Sequence, residues 1–139
     1  MTAVASLSAR KPARTEGWAL AGLQIGFAAW YAVCFALAVD HASQFSGFWY
    51  IPSTDDEYTA TADVFAGWAW AVPVMWTLTM APLLLGFSLI ASVLTLIVGY
   101  ARGNRKLLVA LIAGLVVTVV ALAFSLTPAG MSVAGWVSD

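Results

Sequence analysis

The chain has 139 residues, of which 62% are hydrophobic and 9% charged, with a mean hydropathy of +0.89. A soluble domain carries about a quarter charged residues, and six Lys+Arg with seven Asp+Glu cannot clothe the exterior of one this size. The net charge is -1 and the basic residues fall in two short clusters, so there is no basic stripe for a phosphate backbone and nucleic acid is not an expected partner.

The expected fold is therefore all-α and integral to a membrane. Residues 1–16 read as a cytoplasmic tail, rich in Ala, Ser and Arg, and residues 17–139 as a single transmembrane helical domain. A first apolar stretch covers 17–39, about 23 residues, enough to cross a hydrocarbon core roughly 30 Å thick at about 1.5 Å per residue. Arg10, Lys11 and Arg14 precede it and Asp40 ends it. A signal peptide has the same outline, with Ala36-Leu37-Ala38 as a small-x-small cleavage site, but the apolar run exceeds the roughly 7 to 15 residues of an h-region.

Residues 40–63 form a polar loop holding Asp55, Asp56 and Glu57 and no basic residue, which suits the non-cytoplasmic side. Residues 64–100 form an apolar run of about 37, more than one perpendicular span requires. Arg102, Arg105 and Lys106 follow it directly, and Lys and Arg concentrate on the cytoplasmic side. A single crossing keeps both basic clusters inside, so 64–74, with Trp68, Trp70 and Pro73, reads as interfacial and the second span as 76–100. Pro82 then falls in an early turn, where a missing amide hydrogen costs least.

Residues 102–106 make a short turn and 107–126 the third span. Thr127-Pro128-Ala129-Gly130 ends it, leaving 131–139 as a tail at the outer surface. The topology expected in a plasma membrane is N-terminus inside and C-terminus outside. Trp18 and Tyr100 then lie at the inner interface and Trp49, Tyr50, Trp76 and Trp136 at the outer one, as aromatic belts.

Residues that could carry chemistry are few. His41, beside Asp40, is the one histidine, and a single imidazole cannot hold a metal alone. A site shared with Asp40, Asp55, Asp56 or Glu57 is the low-ranked metal reading, against a solvated, helix-terminating Asp-His pair. Cys34 has no partner cysteine for a disulfide. No catalytic residue and no cofactor are expected, since nucleophile–base pairs, phosphate loops and zinc spacings are absent. The spans hold no ionisable carrier group, only Gln24 and scattered Ser and Thr, whose hydroxyls commonly bond their own helix backbone.

Packing signals are better represented. Gly22 and Gly26, Ser88 and Ser92, and Ala110 and Gly114 are small-xxx-small pairs on spans one, two and three, and Gln24 shares the stretch of the first pair. Trp49, Tyr50, Asp55, Asp56 and Glu57 give the outer loop aromatic anchors and negative charge, a mix that suits docking to another subunit or resting at headgroups.

In its Ala/Val/Leu-rich spans, its Arg10-Lys11-Pro12 tail, its Trp-rich outer loop and its size, the chain resembles the small accessory transmembrane subunits of actinobacterial respiratory assemblies, those of the cytochrome bc–cytochrome oxidase supercomplex in particular. Accessory helices of a membrane-bound copper monooxygenase have a similar outline. The resemblance implies a subunit packed on a catalytic core without haem or copper of its own. The leading expectation is thus a non-catalytic subunit of a hetero-oligomeric membrane complex, with other membrane subunits and lipid as partners. The alternatives are a small homo-oligomeric transporter or channel lined by Gln24 and Ser/Thr faces, and a subunit donating His41 and Asp40 to a shared metal site of a membrane monooxygenase.

Overall fold

A computed structural model describes residues 15–139. The expected tail falls on residues 1–14, outside the described residues, apart from its last two positions. Among the described residues the chain is all-helical, with α1 (Thr15–Ser46), α2 (Ala71–Ile97), α3 (Arg105–Ser125) and α4 (Pro128–Ser138). The first three are each long and apolar enough to cross a membrane. The chain has the architecture of a multi-pass membrane protein.

Each of α1 to α3 packs on the other two. The core positions of α1, Ala21, Gln24, Ala28, Tyr31, Cys34 and Ala38, recur at three- and four-residue intervals, the stripe a helix turns toward its neighbours. The rest of each helix surface stays apolar and exposed, for example Leu23, Phe87, Ile97 and Val120, which in a bilayer faces lipid or another subunit.

Helix α1 does not end at Asp40. It runs on to Ser46 and stops at Gly47, whose φ of 79° is a left-handed conformation that glycine adopts without a Cβ penalty, while its amide donates to the Ser43 carbonyl at 2.8 Å. A charged pair terminates a helix no more than any other residue once the chain has left the hydrocarbon. The second helix begins at Ala71, earlier than expected, and ends at Ile97. That shift puts Pro73 in the first turn and moves Pro82 to mid-helix, correcting its expected place in an early turn. Neighbouring helices make a mid-span proline tolerable in a membrane. Asn104 caps α3, its side chain accepting from the Leu107 amide at 3.1 Å.

The largest correction concerns the C-terminus. Residues 128–138 are not a surface tail: Thr127 caps a fourth helix by accepting from the Gly130 amide at 3.2 Å, with Pro128 in its first turn. Gly130 allows the tight reversal, since a Cβ there would stand 2.5 Å from the Phe124 carbonyl oxygen. Helix α4 buries Val133, Trp136 and Val137 against Ala38, Val39, Ala42 and Val74. Trp136 is thus 4% exposed rather than part of an aromatic belt, and its indole N–H donates to Thr59 Oγ1 at 3.0 Å.

Candidate functional site

Two polar assemblies stand out, one inside the helix bundle and one at its head. The inner one is built on Gln24, which α1 presents to both other spans and which is 2% exposed. Its amide nitrogen donates to the Ser88 carbonyl at 3.1 Å, to Ser88 Oγ at 2.9 Å and to Ser92 Oγ at 2.6 Å. Two hydrogens serve three acceptors, so one bond is shared. Its Oε1 is buried with no hydrogen-bond partner among the described residues and lies 2.5 Å from where a Gly114 Cβ would stand. Ala21 Cα is 3.3 Å from the same point, so Gly114 lets α3 approach the α1 backbone.

Gln24, Ser88, Ser92 and Gly114, read from the sequence as separate packing signals, thus meet at one node that ties the three spans together. Ala110 lies half-buried against the Ala21, Leu107 and Leu111 cluster below it. Gly22 and Gly26 are on the opposite side of α1, exposed, and a Cβ at either would meet nothing within 4 Å. No described helix of this chain covers that face.

Several of the polar residues of the spans are turned into the bundle, whereas Thr79 is exposed. Ser92 and Thr118 are fully buried, the latter donating to the Gly114 carbonyl at 2.8 Å, and Thr77 accepts from the Trp30 indole N–H at 2.9 Å. Between α1 and α3 an open groove of about 600 Å³ is walled by apolar side chains such as Ile25, Phe35, Val120 and Phe124, with Tyr31 also in its lining.

The head is formed by the end of α1, the 47–70 segment and α4. His41 is stacked on Trp68, ring centroids 4.1 Å apart and planes 7° from parallel, with Phe45 edge-on at 5.3 Å. Its Nε2 is 2.8 Å from the Val64 carbonyl oxygen, so that nitrogen carries a hydrogen and donates. His41 therefore holds the loop to α1 rather than forming a solvated pair with Asp40, which is exposed and accepts weakly from Gln44 at 3.4 Å. No group of three or more His, Cys, Asp or Glu that could hold a metal ion occurs among the described residues.

Asp56 organises the loop that follows α1. It is buried, accepts a short hydrogen bond from the Tyr50 hydroxyl, and takes the Tyr58 amide at 2.9 Å. Burial, and then the Asp56 carboxylate, push the Tyr50 hydroxyl well above its ordinary pKa, so it stays a donor. Phe48, Tyr50 and Tyr58 pack into a three-ring cluster, centroids 5.4 to 5.6 Å apart. Trp49, Asp55 and Glu57 remain exposed around it. Of the five loop residues taken as docking candidates, Tyr50 and Asp56 build the loop, and the other three face outward.

Sequence reasoning missed the Trp30–Thr77 and Trp136–Thr59 bonds and the Trp68–His41 stack. Buried Trp side chains need an acceptor for the indole N–H, but nothing local says which of many threonines supplies it. Comparison with protein-family models, curated proteins and solved structures finds no match. The class the fold defines is a multi-pass helical membrane protein with three helices long and apolar enough to span and a head built on one end of the bundle.

Proposed function

We propose that this chain is a non-catalytic accessory subunit of a larger integral membrane complex, an oxidoreductase or respiratory assembly of the kind its sequence resembles. The observation that carries the reading is the uncovered Gly22/Gly26 face of α1. Two glycines within a span give up helix propensity and side-chain packing, and here they receive no contact from α2, α3 or α4 in return. A close helix–helix contact with another subunit supplies the missing partner, because small residues let backbones approach where the membrane offers no hydrophobic drive.

The inward-facing Gln24 node fits a scaffold, since its polar groups serve the chain's own packing. That placement engages Gln24 and Ser92, two residues of the transporter reading's polar wall, within the bundle, and His41, the ligand of the shared-metal reading, is engaged with Val64 and Trp68. The test is purification of the tagged full chain from its native membrane in gentle detergent, with mass spectrometry and a visible absorption spectrum. Stoichiometric larger subunits, with haem bands for a respiratory assembly, are expected, and Gly22→Leu with Gly26→Leu should deplete them several-fold. Recovery of this chain alone would sink the proposal.

A further inference from the structure

The outer head presents a surface whose chemistry defines a partner. Six of the seven acidic residues, Asp40, Asp55, Asp56, Glu57, Asp63 and Asp139, lie on the head or on the part of α1 that enters it, and among the described residues no Lys or Arg does. Around the Phe48–Tyr50–Tyr58 ring cluster, Phe48 is 50% exposed, Trp49 67% and Tyr58 43%. Asp55 and Glu57 bracket this patch, and both are exposed. The loop is held in shape from beneath by Asp56, so the rings are fixed before any partner arrives, which lowers the ordering cost of binding.

Helix α1 runs on for seven residues past 39, the expected end of the first span, about 10 Å at 1.5 Å per residue, before Gly47 turns the chain into the loop that carries the patch. Its carboxylates would repel anionic headgroups, which favours a protein partner over the lipid surface.

Resting on the accessory-subunit reading, we infer that this patch is a docking surface for a cationic, Arg- or Lys-bearing segment of a partner protein on the outer side of the membrane. Fixed aromatic faces receive a guanidinium or ammonium by cation–π contact, and Asp55 and Glu57 supply the charge that pairs with it and steers its approach. Aromatic side chains and Arg are the residues that most often dominate binding hot spots.

The test uses the full chain in its native membrane with Trp49 replaced by photo-crosslinking benzoylphenylalanine. Irradiation should give a protein adduct whose cross-linked peptide, mapped by mass spectrometry, carries Arg or Lys within a few residues of the attachment point. Asp55→Asn with Glu57→Gln should lower the adduct yield about fivefold, two exposed ion pairs being lost, and raised salt should do the same. Both residues are exposed and the replacements isosteric, so folding is preserved. Adducts mainly to lipid, a cross-linked peptide without Arg or Lys, or a yield unchanged by the double substitution would overturn the inference. In that event co-purification of the larger subunits through the α1 face would persist, which separates this failure from failure of the accessory-subunit reading, where no larger subunit is recovered at all.

Discussion

At Gly114 the cost of a single methyl group can be read directly. A Cβ at that position would stand 2.5 Å from Gln24 Oε1 and 3.3 Å from Ala21 Cα, so Gly114→Ala forces the amide aside or α3 away from α1. Overpacking of this kind costs about 1 to 3 kcal/mol, against a gain in helix propensity of roughly 1 kcal/mol. Gly22→Ala meets nothing within 4 Å and keeps only the propensity gain. Reversible unfolding of the isolated chain in mixed micelles should therefore find the first variant less stable than the parent and the second equal or more stable. Equal behaviour of the two would mean that the Gln24 node does not set the α1–α3 distance. The residue types at this node were legible in the sequence. Their convergence was not, because one-dimensional spacing places a residue on a helix face without saying which helix that face meets, and the same small-xxx-small pattern at Gly22 and Gly26 points away from the bundle.

At the scale of elements, the three spans were readable because uninterrupted apolar length is a physical requirement of the bilayer and has few counterfeits. The ends were harder, for three separate reasons. Asp40 and His41 looked terminal because charge marks the edge of hydrocarbon, yet a helix ends only where its backbone can, here at Gly47. Helix α2 starts before the sequence's apolar centre because Trp68–Trp70 and the helix that follows share one composition. Residues 128–138 read as a tail in sequence because Thr127 and Pro128, which are also a helix-start signal, equally stop the helix before them. The contribution of α4 to the head is testable through Trp136, which is 4% exposed and bonded to Thr59. Trp136→Ala should cost about 3 to 5 kcal/mol, and Thr59→Val, which removes only the acceptor, about 1 kcal/mol. Limited proteolysis within 47–70 should accelerate strongly in the first and slightly in the second. Unchanged proteolysis in Trp136→Ala would show that the 47–70 segment holds its place without α4.

For the whole molecule, charge separation along the bundle axis joins the fold to its orientation. Arg102, Arg105 and Lys106 occupy the α2–α3 turn and the start of α3, while the head carries six acidic residues and, among the described residues, no Lys or Arg. The retention of Lys and Arg on the cytoplasmic side during insertion is worth a few kcal/mol per charge at the membrane centre, so the expected topology puts this turn in the cytoplasm. On the proposed reading the head then faces outward, toward its partner. Single cysteines report this without a partner. In a Cys34→Ala background, Thr61→Cys, on the head but outside the patch, and Lys106→Cys both place a thiol at an exposed position. A membrane-impermeant maleimide added to intact cells should label the first and spare the second, and permeabilisation should expose both. Labelling of position 106 alone would invert the molecule, put the acidic head in the cytoplasm, and remove the outer partner from consideration.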